Sequence, residues 1–274
     1  MSNRKWLKVP IVMVIAAMLV AVYGYWIEPN RIVVREFELD DNDFDAGVTI
    51  AQISDIHLGD HFSDKQLLPI LEEINDIGPD ILVFTGDLFD NAQFYEFYDE
   101  ARDAFLTLDP EIIKIAIFGN HDLGGGGYRI YRDFMKDSGF TVLVNDKMTV
   151  EIDSQAIEII GLDDGMLGNP SYDFESLNSD LDTFNMLLVH EPDIYDRYTQ
   201  FPIHLVLSGH SHGGQISFGN YIAITPPLAR LYKRGLFEIE NEAQTKLYVH
   251  TGIGNTRIPI RIGNPPEISV FTIN

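Results

Sequence analysis

Hydrophobic positions fall into two regimes along the chain. Val9 to Ile27 reads VPIVMVIAAMLVAVYGYWI, an uncharged run of 19 residues. As a helix it spans about 28 Å, one hydrocarbon core. After it the apolar runs are short, and nearly every one stops at a polar cluster. Arg31 to Leu39 predicts a first edge strand. Val48 to Ser54 predicts a strand running into Asp55-Ile56-His57. Ser63 then offers a cap to a helix. Its Leu67, Leu68, Ile70, Leu71, Ile74 and Ile77 recur at helical spacing, and Gly78-Pro79 ends it. Ile81 to Thr85 runs into Gly86-Asp87, and a helix is expected near Ala92 to Leu108. Ile112 to Phe118 runs into Gly119-Asn120-His121-Asp122. Leu187 to Val189 stops at His190, and Leu205 to Ser208 at Gly209-His210-Ser211-His212. From about Gln215 to Ile273 the helical period vanishes, and short strands joined by Gly and Pro turns are expected.

Strands alternating with helices predict a layered α/β or α+β domain. In such sheets ligands gather beyond the carboxyl ends of the strands, where this chain concentrates its Asp, Asn and His. No repeat or linker divides residues 48–274, which read as one domain. Residues 28–47 read as connector and edge strand, 9–27 as a transmembrane anchor and 1–8 as a cytoplasmic N-terminus.

Charge and composition narrow the partners. The formal net charge is −23, and a surface so negative repels phosphate backbones, so no nucleic acid is expected. There is no cysteine, which removes disulfides, thiolate metal sites and a thiol nucleophile. Arg4, Lys5 and Lys8 precede the apolar run, whereas Arg31 and Arg35 after it are diluted by Glu28, Glu36 and Glu38. The positive-inside rule then predicts a single-pass protein of the cell membrane with its domain outside the cytoplasm. A cleaved signal peptide and a buried core helix are the alternatives. Val22-Tyr23-Gly24 is a poor cleavage site, and the run is long for a signal core.

The strand ends supply Asp55, His57, Asp87, Asn120, His121, His190, His210 and His212, including five of the chain's eight histidines. Carboxylate, amide and imidazole donors without thiolate suit Mn, Fe, Zn or Co. Each motif alone is weak: Asp-x-His is commonly a surface accident, Gly-Asp a turn, and a lone His a core residue. Their combination, each after an apolar run, predicts a site for two metal ions. Alternate strand residues face opposite sides, so Asp55 and His57 need a bend in the chain to share a pocket.

Ser54-Asp55-Ile56-His57-Leu58-Gly59, Thr85-Gly86-Asp87, Gly119-Asn120-His121-Asp122 and Gly209-His210-Ser211-His212-Gly213-Gly214-Gln215 together resemble the motifs of calcineurin-like metallophosphoesterases. The likeness is greatest to the bacterial membrane-anchored subgroup, to which Gly252-Ile253-Gly254, Pro259, Arg261 and Pro266-Glu267 are also similar. It covers about 48–274. The resemblance implies a four-layer α/β/β/α sandwich with two mixed sheets. It implies Asp55, His57 and His212 on one metal, Asn120, His190 and His210 on the other, and Asp87 bridging both. It implies His121 as a non-ligand histidine near the leaving group, with Asp122 orienting it. The activity implied is hydrolysis of a phosphomonoester or phosphodiester by direct attack of water held between the metals. A monomer is expected, acting on a phosphate ester, with lipid-linked esters among the candidates. Two rivals stay open: a pyrophosphatase acting on a nucleotide-linked lipid precursor, and a non-catalytic metal-binding scaffold, which the loss of a ligand would favour.

Other residues carry weaker expectations. His61 reads as exposed, and His204 and His250 as structural. Asp90 reads as either a brace for the Asp87 turn or a surface residue. Gly124 to Gly127 reads as a flexible turn or a substrate-facing loop, and Asp163-Asp164 as a solvated turn. Arg230, Lys233 and Arg234 form a basic amphipathic segment that lipid headgroups or an anionic substrate could meet.

Overall fold

In the structure, a computed structural model, residues 8–39, 47–124, 127–152, 155–174, 183–219, 221–222 and 224–273 are described. The apolar run forms helix α1 (Lys8–Val22), which continues through a π-helical turn, Tyr23–Ile27, and a 3-10 turn, Glu28–Asn30. Pro10–Asn30 is long and apolar enough to cross a membrane, and almost all of it is exposed. Burial begins at its foot, where Gly24, Glu28 and Pro29 meet the rest of the protein.

Strands β1 (Val33–Leu39), β2 (Val48–Ile53), β3 (Ile81–Phe84), β4 (Ile113–Ala116) and β5 (Thr141–Val142) belong to one sheet. Strands β6 (Asp146–Ile152), β7 (Gln155–Gly161), β8 (Thr183–Leu188) and β9 (Leu205–Ser208) belong to a second. A two-stranded hairpin, β10 (Ser217–Phe218) and β11 (Tyr221–Ile222), stands apart. Strands β12 (Gly235–Glu238) and β13 (Lys246–Val249) complete the second sheet, and β14 (Glu267–Ile273) returns to the first. The first sheet is ordered β1-β14-β2-β3-β4-β5 and the second β12-β13-β9-β8-β7-β6. Both are mixed: β2, β3, β4 and β5 run parallel, as do β7, β8 and β9, while β14–β2 and β6–β7 are antiparallel. Parallel pairing puts the carboxyl ends of β2, β3 and β4 on one edge of their sheet and those of β8 and β9 on one edge of theirs.

The strand period decides the layers. In β2, Val48 and Ile50 join the core between the sheets, whereas Ala51 and Ile53 join the core under the helices. In β3, Ile81 and Val83 face inward while Leu82 and Phe84 face the helices. Strands buried on both faces read as continuous apolar runs, as these do. The outer layer on the first sheet holds α2 (Asp64–Ile77), α3 (Tyr98–Phe105) and, beyond the short α4 (Asn120–Leu123), α5 (Tyr128–Asp137). Helix α2 starts in a capping box between Ser63 and Gln66 and stops at Gly78, whose φ is +61°. Its Leu67, Ile70, Leu71 and Ile74 are buried, each contributing roughly 1.5–3 kcal/mol by removal from water. The outer layer on the second sheet is thinner. Among the described residues it is a 3-10 segment, Pro192–Arg197, and an aromatic loop cluster with Phe174, Tyr198 and Phe201.

The helix expected near Ala92 to Leu108 is broken. A 3-10 turn, Ala92–Phe94, precedes α3, and Tyr95 between them is extended. Asn91 caps the turn by accepting the Gln93 N–H at 3.1 Å. Tyr95 and Tyr98 pack on Phe89 at 5.1 and 5.2 Å between ring centroids. That aromatic cluster needs a bend that a continuous helix would not allow. Residues 1–7, 40–46, 125–126 and 175–182 lie outside the described set, and with them most of the N-terminal segment, part of the connector and the middle of the glycine run.

Candidate metal centre

The bend that Asp55 and His57 need is supplied by left-handed backbone. Asp55, His57, Asp87, His210 and His212 all have positive φ, between 49° and 66°. Each such residue costs roughly 1–2 kcal/mol, and strain of this kind concentrates at functional sites. Gly86 makes the close approach possible. Its φ is +96°, and a Cβ there would lie 2.6 Å from the Gly119 nitrogen. Beyond the ends of β2 and β3, neighbours in the first sheet, Asp55 N–H donates to Gly86 O at 2.9 Å and His57 N–H to Asp87 O at 3.1 Å. Gln52 Nε2 donates to Thr85 Oγ1 at 2.9 Å and to Ser208 O at 3.0 Å, tying β2 to the second sheet. The His210 N–H reaches both Asp55 oxygens at 3.0 Å.

Two trios of donors result: Asp55, His57 and His212, and Asp87, His190 and His210. Within each, one ligand atom per residue lies within 4.8 Å of the others. All six residues are buried. Asp87 joins the trios through a single oxygen. Its Oδ2 is 3.6 Å from His57 Nε2 and 3.3 Å from His190 Nε2, while its Oδ1 accepts the His121 N–H at 2.8 Å. Asn120 Oδ1 is buried without a hydrogen-bond partner, and so is His190 Nε2 apart from its ion contact with Asp87. His190 Nδ1 donates to Thr85 O at 2.6 Å, which leaves Nε2 as the lone pair, and His210 Nε2 donates to Pro227 O at 2.9 Å, which leaves Nδ1. Backbone carbonyls therefore fix the tautomers that ligation needs. Orphaned buried polar atoms each cost about 1–3 kcal/mol, so these residues fit a pair of hard-to-borderline cations.

Protons compete for the same donors. Burial pushes the Asp87 carboxyl up, but the adjacent His190, His121 and His57 outweigh it and hold Asp87 well below the usual carboxylate range. Burial pushes His190 down, yet Asp87 beside it lifts it well above an ordinary imidazole. Burial and the charge on His190 depress His210 to about 4, and burial beside His57 depresses His212 well below its usual value.

His121 stands at the rim with its side chain 31% exposed. Its Nδ1 donates to Asp90 O at 2.8 Å, leaving Nε2 unused. Burial lowers its pKa, but Asp87 more than compensates, so the ring is a stronger base than free imidazole.

Asp122 departs from its expected role. Its Oδ2 accepts N–H groups from Asp87 and Gly119 at 2.8 and 2.9 Å, and its Oδ1 accepts that of Leu88 at 2.9 Å. Neighbours in a helix point apart, so Asp122 braces the Asp87 turn while the Asp90 carbonyl holds the His121 ring. Burial and the Asp87 charge raise the Asp122 carboxyl to about 7.

Three features have surroundings that the sequence did not show. Asp90 Oδ1 lies 3.6 Å from His57 Nδ1 and 3.7 Å from His121 Nδ1, and His57, Asp90 and His121 form a third donor trio. The spacing Asp87-x-x-Asp90 was its only trace. Asp164, expected in a solvated turn, is fully buried and accepts the N–H of Met166 at 3.1 Å. It neighbours the buried Glu191, whose carboxyl is raised well above normal by burial and by Asp164. Arg261 is fully buried and donates to the carbonyls of Thr251 and Asn264 at 3.0 and 2.9 Å, while Asn264 Nδ2 donates to Gly213 O at 2.9 Å in the His210–Gly214 loop. In the basic segment, Arg234 is committed internally, donating to Ser217 Oγ and Asn264 Oδ1 at 2.7 Å each. Only Arg230 and Lys233 of that cluster are exposed. His61 is exposed, His204 Nδ1 accepts the Asn185 N–H at 2.9 Å, and His250 Nδ1 accepts that of Gly252 at 2.8 Å.

Comparison with known proteins shows the family. Residues 48–214 match the family model of calcineurin-like phosphoesterases. The uncharacterized metallophosphoesterase YkuE of Bacillus subtilis is 39% identical, over 100% of this chain and 98% of its own. The UDP-2,3-diacylglucosamine pyrophosphatase LpxG of Chlamydia muridarum is 28% identical over 82% of this chain and 83% of its own. Among solved structures, the phosphopantetheinyl hydrolase PptH of Mycobacterium tuberculosis aligns over 79% of this chain and 95% of its own, with 14% identity and a TM-score of 0.45.

Proposed function

The chain belongs to the calcineurin-like phosphoesterase family, and on that premise we propose that it is a membrane-anchored, two-metal phosphoesterase. The family makes it a metal-dependent phosphoric ester hydrolase. In our reading, Asp55, His57 and His212 hold one ion, Asn120, His190 and His210 the second, and Asp87 serves both. When bound, such ions supply the positive charge that lowers the pKa of a nucleophilic water and offsets charge on the phosphoryl oxygens. The observation that carries the assignment is the position of Asp87 Oδ2 between His57 Nε2 and His190 Nε2. A carboxylate there offsets repulsion between two cations, which a neutral amide would not.

The chain's own residues supply the rest. His121, fixed through Nδ1 and free at Nε2, holds a proton that it can give to the leaving oxygen. Asn120 contributes a neutral donor, which leaves the pocket less negative for an incoming phosphate. No side-chain nucleophile is required. The apolar Pro10–Asn30 helix supports anchoring in the bilayer, and the flanking charges support an extracytoplasmic domain.

Metal content by mass spectrometry, paired with turnover of p-nitrophenyl phosphate and bis-p-nitrophenyl phosphate under Mn, Fe, Zn or Co, tests the reading. Two ions per chain and metal-dependent turnover are expected. Failure to bind more than one ion, or turnover insensitive to chelation, refutes it. The likeness to LpxG favours a second reading, a pyrophosphatase acting on a nucleotide-linked lipid. Release of a nucleoside monophosphate from such a lipid, faster than hydrolysis of either ester, would select it.

A further inference from the structure

The foot of the apolar helix is built into the domain rather than tethered to it. Gly24 O accepts the Arg261 N–H at 2.9 Å. A Cβ at Gly24 would lie 2.8 Å from the Ile262 side chain, so only glycine allows this approach. Beside the contact lies a cavity of about 520 Å³ lined by Tyr23, Glu28, Arg31, Arg35, Ser217 and Phe218, among others. It lies away from the metal ligands, none of which lines it.

Its donors and acceptors define a ligand. Arg31 is exposed and has no ion pair among the described residues. Arg35 spends its Nε on Glu267 at 2.6 Å, one of the five N–H donors of a guanidinium, and keeps its side chain 44% exposed. Glu28 is 2% exposed, and its Oε2 is buried without a partner. Behind the wall, Arg234 is held by Ser217 Oγ and the Gly219 carbonyl. Glu28 Oε2 is closed to solvent, so the groups open to a ligand are the free guanidinium N–H donors of Arg31 and Arg35, which suit a phosphate.

The surroundings indicate where such a group comes from. The β10–β11 hairpin exposes Phe218 (62%) and Tyr221 (67%), and Ile224 just beyond it is 80% exposed. Phe218 shares the cavity wall with Tyr23, two residues before Tyr25 and three before the 63%-exposed Trp26 on the helix. Exposed aromatics on both sides of basic residues suit the headgroup zone of a bilayer.

We propose that this cavity binds the headgroup of an anionic glycerophospholipid, its phosphate on Arg31 and Arg35. The site rests on the reading of Pro10–Asn30 as a membrane anchor, and it docks the domain on the bilayer through Phe218 and Tyr221. The headgroup is a structural ligand here, distinct from whatever the metal centre hydrolyses.

The test uses the full-length protein in detergent, with lipid adducts counted by native mass spectrometry. The probes are dioleoyl phosphatidylglycerol, phosphatidate and phosphatidylcholine, with glycerol phosphate and inorganic phosphate as soluble competitors. Phosphatidylglycerol should be retained over phosphatidylcholine. Arg31→Gln should weaken it about fivefold, the usual effect of one basic residue at an anionic surface. Phosphatidate should be retained like phosphatidylglycerol, because both present a phosphate to the two arginines. Arg35→Gln is a second arm, with melting temperature as the check on folding. Equal retention of phosphatidylglycerol and phosphatidylcholine, or no effect of Arg31→Gln and Arg35→Gln, overturns the site. Displacement by glycerol phosphate at the same concentration as lipid overturns the lipid source and leaves a soluble ligand. Extraction of the full-length protein from membranes by alkaline carbonate would instead defeat the anchor reading, independently of any headgroup specificity measured in detergent.

Discussion

Replacing Asp122 separates a brace for the metal turn from a partner of His121. Its carboxylate accepts three backbone N–H groups, from Asp87, Leu88 and Gly119, in a site with no solvent access. Asp122→Ala leaves all three donors buried and unpaired. At about 1–3 kcal/mol per orphan, less what local relaxation recovers, the loss is about 3–6 kcal/mol. For a domain of this size each kcal/mol lowers the melting temperature by about 2–4 °C, so a fall of about 6–24 °C is expected. Asp122→Asn keeps the volume and one acceptor but turns an NH2 toward a donor, and it should cost about 1–3 kcal/mol. Differential scanning calorimetry gives the stability, and mass spectrometry gives bound metal on the same samples. Both should fall together, Ala more than Asn, because the Asp87 turn loosens. The reasoning fails if Asp122→Ala melts within about 2 °C of the parent, keeps its metal and loses only turnover. It fails equally if its rate defect matches that of His121→Ala and the double variant is no worse. Those results would restore Asp122 as the residue that orients His121.

Three further outcomes follow from the site. Asp87→Asn should lower bound metal from about two ions to one or fewer and abolish turnover; two ions with near-normal rates would remove Asp87 from the bridge. His121→Ala should retain both ions and slow hydrolysis by about 10²–10⁴-fold, least for esters with good leaving groups, whereas collapse of metal content would make His121 a ligand. Acid should strip the metal: His190 holds its proton more tightly than free imidazole because of Asp87, so loading should be full above that raised value and fall as pH drops through it. Equilibrium dialysis across pH would show this, and metal content independent of pH would contradict the tautomer assignment at His190.

The sequence alone was enough to place most of the buried strands and the polar residues that follow them. Fully apolar runs such as Ile81 to Phe84 read as strands buried on both faces, and the period of α2 with its Ser63 and Gly78 ends read as a helix, because these signals are local. The donors were legible for the same reason: a polar cluster that ends a buried strand has few structural reasons to be there. The uncharged Val9–Ile27 run likewise declared a membrane-length helix, since span length is a property of composition. What only the tertiary structure decided concerns direction and distant partners. Nothing in Asp-x-His says that Asp55 and His57 turn left-handed and so aim together. Asp122 meets Asp87 and Leu88 from 35 and 34 residues away, so its role could not be read from its neighbour His121. Tyr95 bends where a helix was expected because the Phe89 ring is there to receive it. Asp164 goes inside, next to Glu191, against the habit of an Asp-Asp turn. Gly24 belongs to the apolar run by composition but to the domain by packing, since the Ile260–Ile262 segment that meets it lies at the other end of the chain. Local pattern fixes which face an element buries; only the packed fold brings together groups that are far apart along the backbone and settles which of them share a proton, a turn or a pocket.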